Sequence, residues 1–122
     1  ERPASDLATQ QMTWYEASPN GLGGNYAWGR PWDPKSNNAK DSPFTYVEHV
    51  HTPVLLLHST LDTETPIDQT LDEFSALKQL GRTAVFVEVP NENHDLNRTG
   101  SPIHRVERLH LLADWFARWL AP

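Results

Sequence analysis

The sequence has no cysteine, which excludes disulfides and thiolate metal sites and fits a reducing, cytoplasmic setting. It also has no long apolar stretch. No uninterrupted run exceeds the four residues of Val54–Leu57, against the roughly 20 a spanning helix needs, and the N-terminus lacks the basic-then-apolar pattern of a signal peptide. Positive charge is scarce as well: 10 Lys and Arg stand against 16 Asp and Glu, for a net charge of -6. Without clustered cations there is no electrostatic footprint for nucleic acid, because phosphate binding draws its affinity from such clusters. Neither a nucleic-acid partner nor a membrane is expected.

The chain does contain the composition of one globular domain: 122 residues, 38% hydrophobic and 21% charged. Trp14, Trp28, Trp32, Trp115 and Trp119 bring large rings that need substantial surface to pack against.

Two halves differ in pattern. From Thr52 onward strand and helix signals alternate. Val54 to His58, after Pro53, predicts a strand covered on both faces. In "TPIDQTLDEFSALKQLG", Thr65 is placed to cap a helix, Pro66 suits its first position and Gly81 the residue past its end; Ile67, Leu71, Phe74, Leu77 and Leu80 form one apolar stripe. "TAVFVEVP" predicts a second strand, and "HRVERLHLLADWFARWL" a second helix with a stripe through Val106, Leu109, Ala113, Phe116 and Leu120. A strand–helix–strand crossover returns the chain to the same end of the sheet, so the strands are expected to be parallel neighbours. Residues 1–51 read as a short helix, capped by Ser5 or Asp6, followed by a Trp-, Gly- and Pro-rich loop without period. Two parallel strands do not make a stable sheet alone, so the remaining strands are expected from an upstream segment or a second chain.

The strand ends carry the chemistry. In open parallel α/β sheets the ligand crevice lies beyond the carboxyl ends of the strands. Asp62 falls a few residues past the first strand and His94, in "NENHDLNRTGSP", a comparable distance past the second. With neighbouring strands about 4.8 Å apart, loops leaving one edge can join a carboxylate to an imidazole, and such a pair fixes the tautomer and stabilises the imidazolium of a general base. The plain alternative is that both are solvated loop residues. His49, His51 and His58 form no metal motif of the His-Glu-x-x-His kind, "VEHVHTP" reads as an alternating approach to the first strand, and "NRT" at Asn97 is a glycosylation sequon only if the protein is secreted. The Trp28 and Trp32 loop is expected to pack at an interface, and Trp115 and Trp119 in the core or at a subunit contact.

At these residues a resemblance appears. The stretch from "TPVLLLHSTLDTETP" through "PNENHDLNRTG" to "DWFARWL", with "SPFTYVEHVHTP" before it, resembles the C-terminal end of the catalytic domain of the prolyl oligopeptidase family, in its acylaminoacyl-peptidase and dipeptidyl-peptidase-like branch, over residues 42 to 120. The resemblance implies an α/β-hydrolase fold, here as an incomplete C-terminal portion, and serine-nucleophile hydrolysis of short peptides or acyl-peptides without a cofactor. It puts Asp62 on the family's catalytic aspartate and His94 on its catalytic histidine. Three departures follow. Glu64 stands where the family usually has a substrate-holding arginine. Asn91, Asn93 and Asp95 replace loop glycines and are the side chains most tolerant of positive φ. No Gly-x-Ser-x-Gly is present, so the nucleophile is expected outside this sequence and the chain alone is expected to be inactive. Ser59 is no substitute: it ends the strand of the acid, three residues before it, and reads as a hydroxyl bonded to backbone. Two competing readings are a noncatalytic interaction module built on a hydrolase end, and an esterase using the same triad.

Overall fold

The computed structural model describes residues 1–17 and 29–120. Along the chain run α1 (Leu7–Ala17), the single turn α2 (Asn38–Asp41), a 3-10 segment (Pro43–His49), β1 (Val54–Ser59), α3 (Ile67–Gln79), β2 (Ala84–Val89), the short α4 (Leu96–Thr99) and α5 (Pro102–Leu120). β1 and β2 are parallel neighbours in continuous register from Val54↔Ala84 to Ser59↔Val89, as expected.

Side-chain alternation gives this ribbon two faces. On one, Leu56 and Ala84 join Leu77 of α3 in the buried cluster, with Val54, Phe74 and Phe86 around it. On the other, Leu55, Val85 and Val87 face Leu111 and Trp115 of α5 across a cleft of about 230 Å³. The ribbon is thus layered between α3 and α5. The wider sheet expected from the sequence is represented by these two strands among the described residues.

α3 ends as the sequence predicts. Gly81 takes φ 68°, and the amides of Gly81 and Arg82 close on the carbonyls of Lys78 and Leu77, the pattern that satisfies the last turn when a residue without Cβ follows it. Its start differs from expectation. Pro66 occupies the cap position with extended φ/ψ and Thr65 makes no cap bond; the Thr65 amide donates instead to Asp62. The stripe is also rotated from the apolar count: Gln69, Thr70 and Leu77 are buried, while Leu71 and Leu80 are exposed. Polar partners cause the rotation, for Gln69 binds α1 through the Asp6 amide (2.9 Å) and Thr70 binds His58 (2.5 Å).

α1 is capped by Asp6, whose carboxylate accepts from the Ala8 amide (3.0 Å) and the Thr9 hydroxyl (2.6 Å). Ser5, the other candidate, donates to the Gln69 carbonyl at 3.0 Å and so ties this segment to α3. "VEHVHTP" alternates only in part: Val47–His49 end the 3-10 segment Pro43–His49, whose first turn suits Pro43, and the chain is extended at Val50, with Val47 and Val50 packed on the core. The stripe of α5 is likewise displaced. His104, Arg108 and Trp115 are half-buried toward the sheet, whereas Ile103, Val106, Leu109, Phe116 and Leu120 are exposed on the opposite side. Trp115 and Trp119 are a tilted pair 5.8 Å apart with the Arg118 guanidinium over Trp119, and Trp32 is exposed. Trp28 and the Trp14 side chain lie outside the described residues.

Leu77 is fully buried between α3 and the ribbon. Leu77→Ala should therefore cost about 2–5 kcal/mol, and Leu71→Ala under about 1 kcal/mol, in urea unfolding of the protein; equal costs would contradict the rotated stripe.

Candidate active site

The turns that leave β1 and β2 are stitched together before any side chain acts. The Thr60 amide continues the ladder onto the Val89 carbonyl (3.0 Å), the Leu61 amide reaches the Glu92 carbonyl (2.9 Å), and the Asn91 amide donates to the Thr60 hydroxyl (2.9 Å). Asn91 turns the second loop with φ 58°, so of the three loop residues replacing glycine it is the one that adopts positive φ. Asn93 instead accepts the Asp95 amide on its own side chain (2.9 Å), closing a local turn.

This stitching brings Asp62 to His94. The Asp62 side chain is fully buried, and its Oδ2 lies 2.9 Å from His94 Nδ1, with Oδ1 at 3.1 Å. Oδ1 also accepts the amides of Glu64 (3.0 Å) and Thr65 (2.9 Å). Since a carboxylate facing an imidazole accepts, His94 donates from Nδ1 and keeps a lone pair on Nε2. The imidazole is one-quarter exposed, and Nε2 has Glu64 Oε2 3.8 Å away. The arrangement can serve as an oriented base, for one nitrogen is fixed by a buried acid and the other is free of it.

His58 lies beneath the acid, buried, with Nε2 2.8 Å from the Thr65 carbonyl and Nδ1 2.5 Å from the Thr70 hydroxyl. A carbonyl only accepts, so Nε2 donates there and Nδ1 accepts from Thr70, a neutral tautomer with both nitrogens used. Nε2 also stands 3.6 Å from Asp62 Oδ2. Burial pushes the His58 pKa below its ordinary value and outweighs the Thr65 carbonyl and the Asp62 charge, which act the other way. His58 is thus committed to propping up the acid's turn, while His49 pairs loosely with Glu48 at the surface and His51 is exposed.

Ser59 is buried at the end of β1, yet among the described residues its hydroxyl has no hydrogen-bond partner. The expectation that it bonds to backbone is therefore corrected. Its backbone carbonyl, not its hydroxyl, serves the turn by accepting the Asp62 amide at 3.2 Å.

One support of the site escaped the sequence reading. Glu92 is buried under the His94 loop, and its Oε1 accepts the Ser101 amide (2.9 Å) and His104 Nδ1–H (2.7 Å). These bonds hold its carboxyl below the ordinary range, the His104 contact most of all. A Cβ at Gly100 would sit 2.8 Å from Glu92 Oε2 and 2.5 Å from the Leu96 carbonyl, so only glycine leaves room for this carboxylate. Ser101 in turn caps α5, its hydroxyl taking the His104 amide at 3.3 Å. The available signal was Gly-Ser-Pro with an acid nine residues before the serine, which is a helix start and not in itself a contact.

Two outcomes are expected. Because burial depresses the folded-state pKa of His58, protons favour the unfolded chain; the stabilisation is complete above about pH 6.5 and is lost as pH falls below it toward the folded-state value. The urea midpoint should decline across that window and decline less in His58→Gln, so parallel profiles would contradict a neutral buried His58. Glu92→Ala should speed amide exchange at Ser101 and His104, read by hydrogen–deuterium exchange, while leaving β1 and β2 protected.

Comparison with known proteins places the chain as a whole. Over 79 residues the chain is 42% identical to the uncharacterized peptidase YuxL of Bacillus subtilis, covering 65% of this chain and 12% of that protein. It is 33% identical over 78 residues to the acylamino-acid-releasing enzyme of Arabidopsis thaliana, covering 64% of this chain and 10% of that one. Among solved structures, the uncomplexed acylaminoacyl peptidase of Pyrococcus horikoshii superposes with a TM-score of 0.78 at 34% identity, over 90% of this chain and 18% of the other. The chain thus spans about a tenth of the length of the curated relatives it matches. Its two strands and flanking helices are a portion of the α/β-hydrolase fold. The match to the prolyl oligopeptidase family extends over residues 3–122, and the chain belongs to that family.

Proposed function

We propose that this chain is the acid-and-base end of a serine peptidase acting on short peptides or acyl-peptides, with Asp62 the catalytic acid and His94 the general base. The nucleophilic serine and the donors for the oxyanion lie in sequence beyond these 122 residues, on the remainder of the hydrolase domain or a second chain that completes the sheet. Residues 1–51 bring α1 and the Trp-rich loop, and residues 52–122 carry the acid and the base. The observation that carries this reading is the bond of 2.9 Å between the buried Asp62 carboxylate and His94 Nδ1, which leaves Nε2 free of the acid.

The chemistry follows from that bond. His94 Nε2 takes the serine proton as the hydroxyl attacks the scissile carbonyl; Asp62, already bound to Nδ1–H, stabilises the imidazolium; the proton then passes from Nε2 to the leaving amine. Water repeats the cycle on the acyl-enzyme. No step needs a cofactor. Without the serine the pair cannot form the covalent intermediate, so these residues alone are inactive on this reading. Among the described residues no helix is long and apolar enough to cross a membrane. A cytoplasmic setting belongs to the same proposal, supported by the cysteine-free sequence.

In the complete enzyme His94→Ala should reduce turnover of an acyl-peptide anilide by several powers of ten, and Asp62→Asn by roughly 10³- to 10⁴-fold, with circular dichroism unchanged. A fluorophosphonate reagent should label the parent protein. A His94 variant within about tenfold of the parent would remove His94 from the mechanism, and a folded parent that resists labelling would favour a noncatalytic interaction module. Turnover of short acyl esters without any of the anilide would favour an esterase.

A further inference from the structure

Glu64 occupies an unusual electrostatic position. Its backbone is held on both sides: the amide donates to Asp62 Oδ1 at 3.0 Å, and the carbonyl accepts Gln10 Nε2 of α1 at 2.9 Å. The turn that carries it therefore has little freedom to move away. The side chain is 45% exposed, and its Oε2 stands 3.8 Å from His94 Nε2, the nitrogen free of Asp62. Among the described residues no Lys or Arg pairs with Glu64, whose ion-pair contact is with His94 itself; Arg98 and Arg108 pair with Asp95 and Glu1. Among the described residues this carboxylate thus stands without a Lys or Arg partner, beside the nitrogen of His94 that is free of Asp62.

We propose that Glu64 is a specificity residue that favours substrates bearing a cationic group on a residue flanking the scissile bond. The inference rests on the assignment of His94 as general base. Under that assignment the bond being cleaved comes within hydrogen-bond reach of Nε2, about 3 Å, which puts the Glu64 carboxylate within roughly 7 Å of it. An ammonium or guanidinium on a neighbouring residue then lies about 5 Å from the carboxylate at its nearer approaches. At an effective dielectric between those of protein and water, attraction at that range favours a cationic over a neutral substrate on the order of tenfold, and an anionic one is disfavoured to a similar degree. Glu64 is not needed to build the turn, because the turn is held through its backbone. Its carboxylate is free to act on whatever enters.

The test uses the full-length enzyme and internally quenched peptides of one sequence, with Lys, norleucine or Glu placed on the acyl side of the scissile bond in one series and on the leaving-group side in the other. The expected order of kcat/KM in at least one series is Lys above norleucine above Glu, about tenfold per step, compressed as ionic strength rises from roughly 0.05 to 0.5 M. Glu64→Gln should collapse the order and Glu64→Arg invert it, a response that a merely structural role would not produce. Cleavage of the norleucine peptides with no charge order in either series, or an order unchanged in Glu64→Gln, overturns the inference while leaving His94 as base. Cleavage of none by the parent, or cleavage that survives His94→Ala, overturns the underlying reading and this inference together.

Discussion

The contact of the Asp62 carboxylate with His94 Nδ1 exists because two turns are already fixed to each other. Parallel strands in register leave the same rim of the ribbon, and the ladder extends past their ends through Thr60, Leu61 and Asn91 before either side chain is placed. The acid then satisfies donors from its own turn and from the neighbouring loop at once. Buried carboxylates need such saturation, because an acceptor oxygen withdrawn from water without donors is costly. Oδ1 holds the Glu64 and Thr65 amides and Oδ2 faces the imidazole, so the bonds that shape the turn and the bond that orients His94 share one group.

Around this group the polar interior is arranged in tiers. His58 beneath it is neutral and committed to Thr65 and Thr70, which keeps α3 at a fixed distance from β1. Glu92 performs the parallel task for the second loop, tying it to the first turn of α5. The first turn is thereby anchored to α3 and the second loop to α5. On the proposed reading this division leaves one histidine to react while the other two, His58 and His104, hold the frame.

Much of this was legible in the sequence, and the failures share a cause. Apolar runs and breakers marked β1, β2, α3 and α5, and the rule that sites form at the carboxyl ends of parallel strands paired Asp62 with His94. Gly81 was readable because left-handed backbone needs particular residues, and Asn91 is the one of the three tolerant loop residues that takes it. Positions decided by long-range polar partners were not readable. Thr70 turns inward for His58, so the buried stripe of α3 departs from a count of its leucines; Thr65 does not cap because Pro66 occupies the cap position while the Thr65 amide holds Asp62; Glu92 looks like any loop acid until Ser101 and His104 are folded against it. Local patterns also made "VEHVHTP" an alternating approach throughout, when its first three residues complete the 3-10 segment begun at Pro43.

The outer side of α5 has a consequence of its own. A helix that offers Trp115 to the ribbon and also presents Ile103, Val106, Leu109, Phe116 and Leu120 outward carries two greasy stripes separated by narrow charged strips. Such a rod is colloidally sticky: at high concentration its bare stripe favours clumping, which dilution or detergent relieves.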